Sequence, residues 1–387
     1  MQFNNFDIDS FLRDYWQQKP LLIRNPWNAW VNPLEPDELA GLACEQEIES
    51  RLITQAGAIW PDSLRVEDGP LPEARFGTLG HERWTLLVQA VDHYVPEVAA
   101  LIDPFRFIPN WRIDDVMVSL AANNGGVGPH FDQYDVFLIQ GLGRRCWQVG
   151  ALCSAESELM PNEDLRLLAR FDATDEWVLE PGDILYVPPG ISHNGIAVGG
   201  DCMTYSIGFR APSRAELIAE FADAMTADMA DDDRFSDSGL KRQVNPGEIS
   251  AEAIAGLHAM ITEKMGDEQA FARWFGRSNS IAKYPDIDWK PETPVEVEQL
   301  RGMIAKGEPL IRNPASRFSF IRQERGEVLL FVNGECFECI GETANLAEIL
   351  CARDHVAISA GLANSDTAMA VLVLLINQGS IAFDQEG

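Results

Sequence analysis

Positive charge is what this 387-residue sequence has least of: 30 lysines and arginines stand against 60 aspartates and glutamates, a formal net charge of −30. Such a field repels a nucleic-acid duplex and attracts a basic peptide or protein, so direct nucleic-acid binding is not expected. Long apolar runs are also missing. The longest, Ala368 to Ile376, falls far short of the ~20 residues a membrane-spanning helix needs. The opening "MQFNNFDIDSFLRDYW" carries neither the basic nor the apolar segment of a signal peptide. These absences predict a soluble, cytoplasmic protein with no membrane partner. Seven cysteines, an odd number scattered over a long chain, do not make a disulfide framework and point to a reducing compartment. Cys336 and Cys339 form a single C-x-x-C with no second pair nearby, and on a strand their sulfurs would face opposite sides. They read as ordinary strand residues rather than zinc ligands.

What is present is enough apolar material, 46% of the chain, to build packed cores, which excludes a disordered protein. The length predicts two or three units. Up to about residue 105, short helical patterns alternate with Pro and Gly breaks; "FLRDYWQQKPLLIRN" reads as a helix ended before Pro20, then a strand. From Trp111 to Arg210 the texture becomes short apolar strands between turn signals: "DVMVSLAA", "YDVFLIQG", "RCWQVG", "EWVLEPGD", "DILYVPPG" and "CMTYSIGFR". That spacing predicts a β-barrel or sandwich. At Ser213 it changes again. Ser213 and Glu216 stand in capping-box spacing before a stripe of Leu217, Ile218, Phe221, Met225 and Met229, and further helices are expected near 250–265 and 269–275. "KYPDIDWKPETP", 283–294, is a Pro-rich linker. The remainder reads as a helix from Val295 to Lys306, a strand, a hairpin turning at Asn333-Gly334 and two apolar helices, the order of a small winged-helix-like domain.

Chemistry concentrates in "GPHFDQYDVFLIQGLGRRCWQVG", 128–150. His130 and Asp132, at i and i+2 of an extended segment, project to one face and can take adjacent positions on one metal ion. His193, in "EPGDILYVPPGISHNG", follows a Pro-Pro-Gly turn at a strand end and offers the third ligand. Two histidines and one carboxylate with open positions is the facial set of non-haem Fe(II) oxygenases. No His-Glu-x-x-His motif of a zinc protease occurs. In "GRRCWQVG", alternation places Arg145, Trp147 and Val149 on one face, and the apolar members make it the inner one. An inward guanidinium needs an anion and suits the far carboxylate of a 2-oxo diacid. Asp115, with Met117 and Ser119 on the same face of its strand, and Tyr134, two residues beyond Asp132, are candidates to hold a cationic substrate side chain, one by charge and one by its ring. Ser206 in "YSIGF" is a further candidate.

The strings "GPHFDQYDVFLIQG", "GRR", "LEPGDILYVPPGISHNG", "YSIGFRAPSRAEL" and "FLRDYWQQKPLLIRN" together resemble the bacterial ribosomal oxygenases of the cupin-like JmjC family over the first 215 or so residues. The later helical and winged-helix-like segments follow that family's layout in order and rough length. The resemblance implies an α+β protein with a double-stranded β-helix (cupin/JmjC jelly-roll) core across 1–212, a helical dimerisation region across 213–282, and a linker with a winged-helix-like domain across 283–387. It implies Fe(II), 2-oxoglutarate and O2 as metal and cosubstrates, His130, Asp132 and His193 as ligands, and Arg145 as the 2-oxoglutarate clamp. It further implies a homodimer and hydroxylation at Cβ of an arginine in a basic large-subunit ribosomal protein, the sixteenth. A histidine hydroxylase or lysine demethylase of the same family would share these motifs. From another class, a non-catalytic cupin sensor coupled to a nucleic-acid-binding tail predicts a basic face on 295–387.

Overall fold

Alternating apolar residues in the first half of the chain pair into one antiparallel sheet. In a computed structural model, which describes residues 2–55, 64–161, 165–227 and 229–383, the chain divides into two units, Met1–Ala211 and Pro212–Gly387. The first contains strands β1 (Leu21–Ile23), β2 (Ser50–Gln55), β3 (Leu64–Asp68), β4 (Trp84–Val88), β5 (Ile113–Ala121), β6 (Asp135–Leu152), β7 (Ala173–Leu179), β8 (Ile184–Val187) and β9 (Ile191–Phe209). Their order is β1-β8-β6-β9-β5-β4-β2-β3, with β7 also paired to β6. The helices here are short: α1 (Ile8–Asp14), α2 (Pro36–Leu42), α3 (Glu73–Phe76) and α4 (Pro96–Ala99). Helix α1 stops at Asp14, several residues before Pro20, as Tyr15 leaves helical geometry at φ −127°; Gln17 then takes a positive φ of 57°. The first hundred residues also supply β2, β3 and β4, where the sequence pattern suggested short helices.

The sheet has two apolar faces. Phe137, Ile139, Tyr186, Tyr205, Ile207 and Phe209 join Phe11, Trp27 and Phe105 in the main core. Val136, Leu138, Trp147, Val149, Leu185 and Val187 form a second cluster on the opposite face. Strands β6 and β9 run through both halves, and β6 is one strand where the sequence suggested two. The cause is local. Its pairing with β9 slips between Gln140 and Arg144, and Gly143 sits there at φ 63° with the Asp201 carbonyl 2.8 Å from where a Cβ would be. Even-numbered residues face the second cluster before the slip, and odd-numbered ones after it. This long-stranded antiparallel closure is a double-stranded β-helix.

The second unit opens with α5 (Arg214–Ala227), capped reciprocally: Glu216 N–H donates to Ser213 Oγ at 3.1 Å and Ser213 N–H to Glu216 Oε2 at 2.7 Å. Met229 lies beyond the helix end. Helix α6 (Ala251–Met265) follows, then α7 (Glu268–Ser280), against which Phe221 of α5 packs through Phe271 and Trp274 with ring centroids 5.2 and 5.1 Å away. Residues 283–294 carry no regular element. Beyond them come α8 (Val297–Ala305), β10 (Leu310–Arg312), β11 (Phe318–Arg322), β12 (Val328–Val332), β13 (Glu335–Cys339), α9 (Glu342–Ala352), β14 (His355–Val356), α10 (Ala360–Ala363), α11 (Asp366–Asn377) and β15 (Ile381–Phe383). Val332 pairs with Glu335, leaving Asn333-Gly334 as a two-residue turn with φ of 48° and 85°, the left-handed pair that such hairpins require. All seven cysteines are free. No helix among the described residues is long and apolar enough to cross a membrane.

Candidate metal centre

The segment 128–134 lies between β5 and β6, just before the β6 ladder begins. It is pinned to the start of β9 by main-chain bonds. His130 N–H donates to the His193 carbonyl at 3.0 Å, His193 N–H returns to the His130 carbonyl at 2.8 Å, and Gly190 N–H donates to the Asp132 carbonyl at 2.7 Å. Gly190 holds φ 78°, the left-handed conformation that lets the Pro-Pro-Gly turn deliver His193. His130, Asp132 and His193 consequently offer one donor atom each, all within 4.8 Å of one another.

Both imidazoles are oriented for the task. His130 Nδ1 lies 2.7 Å from the Gly128 carbonyl and His193 Nδ1 lies 3.1 Å from the Ile191 carbonyl. A carbonyl can only accept, so each Nδ1 carries the proton and each Nε2 keeps its lone pair free for a metal. Burial, followed by the charge of His130, pushes His193 down to about 4, so it is neutral near pH 7. Its Nε2 stands 3.6 Å from Asp132 Oδ2. Asp135, in the same short motif, does none of this. It is fully buried on the other face, accepting from Tyr186 Oη at 2.6 Å, Arg112 Nη2 at 2.9 Å and Gln17 Nε2 at 2.9 Å.

Beyond the triad, on the second apolar face, Trp147 stands 5.9 Å from the His193 ring and 5.7 Å from the Arg145 guanidinium carbon. Arg145 is 3% exposed while Arg144 is exposed. Its Nε donates to Cys202 Sγ at 3.5 Å, and the same sulfur accepts from Gln140 Nε2 at 3.4 Å. Arg145 Nη2 is buried with no hydrogen-bond partner. A buried cationic donor left open is costly unless an anion arrives, so Arg145 fits a carboxylate-bearing cosubstrate and the triad fits Fe(II). Cys202 and Gln140 escaped the sequence reading, since nothing in their local pattern separates them from ordinary strand residues.

The third group gathers where β5 meets β9. Ile113 pairs with Phe209 but Val116 with Ile207, so β5 carries one extra residue in a β-bulge. Asp114 and Asp115 lie in that bulge opposite Gly208. A Cβ placed on Gly208 would stand 3.9 Å from Asp114 Cβ, 3.9 Å from Tyr134 Cε2 and 4.0 Å from Asp115 Oδ1. Asp115 is buried, and its Oδ2 accepts from the Ala90 amide at 2.9 Å. Tyr134 is 44% exposed, and partial desolvation together with the charges of Asp132, Asp115 and Asp114 raises its phenol, so it stays protonated. Ser206 stands opposite Met117 on β9, on the same side as this cluster.

A double-stranded β-helix holding two histidines and an aspartate at one end defines a JmjC-type, cupin-like protein, and residues 100–217 match the JmjC domain family. Residues 263–382 match the ROXA-like winged helix. The chain is 38% identical over 325 residues, 84% of each protein, to the ribosomal protein uL16 3-hydroxylase of Escherichia coli strain K12. It is 38% identical over 284 residues, 70% of this chain and 67% of the other, to a Haemophilus influenzae protein named "Probable ribosomal oxygenase". The solved structure of the ribosomal oxygenase YcfD from E. coli with cobalt and 2-oxoglutarate superposes with a TM-score of 0.86 at 34% identity, covering 100% of this chain and 99% of that one. The chain belongs to the ribosomal oxygenase family.

Proposed function

We propose that this protein is an Fe(II)- and 2-oxoglutarate-dependent oxygenase that hydroxylates Cβ of an arginine in the large-subunit ribosomal protein uL16. The observation carrying the reading is the pairing of a metal-type triad, both Nδ1 atoms committed to carbonyls, with a buried guanidinium whose Nη2 is unsatisfied. His130, Asp132 and His193 hold the iron, and Arg145 receives the far carboxylate of 2-oxoglutarate. When bound, iron with 2-oxoglutarate and O2 supplies the oxidising chemistry, with succinate and CO2 as co-products. The chain's own work is placement: Asp115 takes the substrate guanidinium, the Tyr134 ring packs against it, and Ser206 lines the same wall, holding the reacting carbon beside the metal. The net charge of −30 favours encounter with a basic ribosomal protein and disfavours nucleic acid.

The domain assignment belongs to the same proposal: a catalytic part at 1–212, a dimerisation part at 213–282 and a linker with the winged-helix-like part at 283–387. A homodimer through the helical part is supported by α6, where Ile254, Leu257 and Ile261 share one helical face and stay exposed. A soluble, cytoplasmic location accords with a ribosomal protein substrate.

The test is mass analysis of a uL16 peptide incubated with the protein, Fe(II), 2-oxoglutarate and O2, beside a His130→Ala control. Addition of one oxygen to an arginine, absent in the control, is the expected result. An oxygen on histidine would keep the iron chemistry and discard the Asp115 slot. An unmodified peptide with 2-oxoglutarate intact would remove the enzyme reading.

A further inference from the structure

A guanidinium already paired with a protein carboxylate has little left to offer a cosubstrate. Arg145 is oriented by something weaker. Its Nε donates to Cys202 Sγ at 3.5 Å, and a thiol sulfur is a neutral, poor acceptor that leaves the cationic charge available. Cys202 is fully buried on β9, and its sulfur is reached from the other side by Gln140 Nε2 at 3.4 Å. The same Gln140 amide donates to the Leu142 carbonyl at 2.8 Å and the Met203 carbonyl at 3.1 Å, while Thr204 Oγ1 donates to its Oε1 at 3.3 Å. Gln140 is also fully buried, so these bonds meet no competition from water. Leu142 and Met203 pair with each other inside the slip of the β6–β9 ladder, the slip that turns Arg145 inward. One glutamine therefore ties the slip to the sulfur that holds the arginine.

That hold has a direction. A guanidinium can receive a carboxylate side-on, through Nε and one Nη, or end-on, through both Nη atoms. With Nε committed to Cys202, the Nη end remains, and Nη2 lies there buried without a partner. We propose that Cys202, held by Gln140, is a positioning residue for the cosubstrate clamp. It acts through Arg145, fixing the plane of the guanidinium so that its Nη end meets the far carboxylate of 2-oxoglutarate. This rests on the reading that Arg145 receives that carboxylate. Cys202→Ala removes the acceptor, Cys202→Ser keeps a neutral one, and Gln140→Met keeps the length of the side chain while losing its donors.

The experiment uses the full-length, Co(II)-loaded protein with these three variants, the double variant Cys202→Ala/Gln140→Met, and Arg145→Met. Visible absorption of Co(II) follows the binding of 2-oxoglutarate and of 2-oxopentanoate, which lacks the far carboxylate. The positioning role predicts that Cys202→Ala and Gln140→Met each weaken 2-oxoglutarate about threefold to tenfold, the scale of one lost orienting hydrogen bond. Cys202→Ser stays within about twofold of wild type. The double variant is no weaker than Cys202→Ala, because the glutamine acts through the sulfur. Affinities for 2-oxopentanoate and Co(II) stay unchanged throughout. In turnover, Cys202→Ala raises KM for 2-oxoglutarate and leaves KM for the uL16 peptide alone. Wild-type or tighter 2-oxoglutarate binding by Cys202→Ala would overturn the proposal, as would Ser binding as weakly as Ala. Equal weakening of both oxo acids would make Cys202 a packing residue and overturn it too. Losses that add in the double variant would break the link between Gln140 and the sulfur, against the proposal. Wild-type 2-oxoglutarate binding by Arg145→Met removes the underlying reading of the clamp itself. A cooperative melt for each variant shows that binding rather than folding is read, and the two Cys202 substitutions decide the matter if Gln140→Met does not fold.

Discussion

His130 and His193 hydrogen-bond to each other twice through their main chains, and their rings stand 4.3 Å apart, centroid to centroid. The metal-facing geometry is thus set by backbone rather than by the imidazoles themselves. Removing one ring leaves its neighbour in place. His193→Ala is expected to keep a cooperative melt while Co(II) affinity, followed by its visible absorption, falls by at least about tenfold.

Arg145 meets the barrel through a thiol and an indole face, and its Nη2 waits for an anion. On the proposed role as 2-oxoglutarate clamp, replacing it by Met removes a charge-assisted pair worth about tenfold to a hundredfold in affinity. The expected outcome is a rise of that size in the Kd for 2-oxoglutarate by calorimetry, with Co(II) binding unchanged. Arg145→Lys does not restore it, because an ammonium cannot present two parallel donors.

Gly195 lies under the Trp147 ring, where an added Cβ would come within 2.7 Å of two ring carbons. Gly195→Ala must displace the indole that stands beside His193. A destabilisation of about 1–3 kcal/mol follows from such overpacking, read as a lower thermal midpoint. Trp147 fluorescence should change in the same variant.

The exposed stripe of α6 gives a direct test of the proposed homodimer. Ile261→Glu places a charge on that face, so light scattering on the variant should report a monomer where the wild type reports a dimer. A wild-type mass for the variant would leave the stripe without that role.

Much of the site could be read from residue types because its chemistry demands them. His130, Asp132 and His193 stand out as a donor set, and Arg145 as a cation on an apolar face. The Asn333-Gly334 hairpin and the Ser213–Glu216 cap are equally visible, since each needs particular side chains at fixed spacing. What supports the site was hidden, because it is backbone. The carbonyls of Gly128 and Ile191 that set the histidine tautomers could come from any residue. Asp92 looks like a loop acid until the Val116 amide, 24 residues away, is brought beside it. Strands β2, β3 and β4 were missed because each is short and lies among turn residues. The single strand β6 was divided because Gly141 and Gly143 read as a turn, whereas they accommodate a slip within a continuing ladder.

The two acidic residues of the β5 bulge lie against a position with no side chain, Asp114 through its Cβ and Asp115 through Oδ1. The space between Tyr134 and Asp115 therefore owes its size to one glycine, with the nearest atoms about as far from a virtual Cβ as ordinary contact allows. A methyl group there would be tolerated, and each carbon beyond it would narrow the slot while leaving the triad and Arg145 untouched. On the proposed reading of this wall as the substrate slot, substrate choice is separable from the metal triad and adjustable at a single codon. Gly208 is where a lineage, or a laboratory library, could redirect the enzyme toward smaller side chains by small steps.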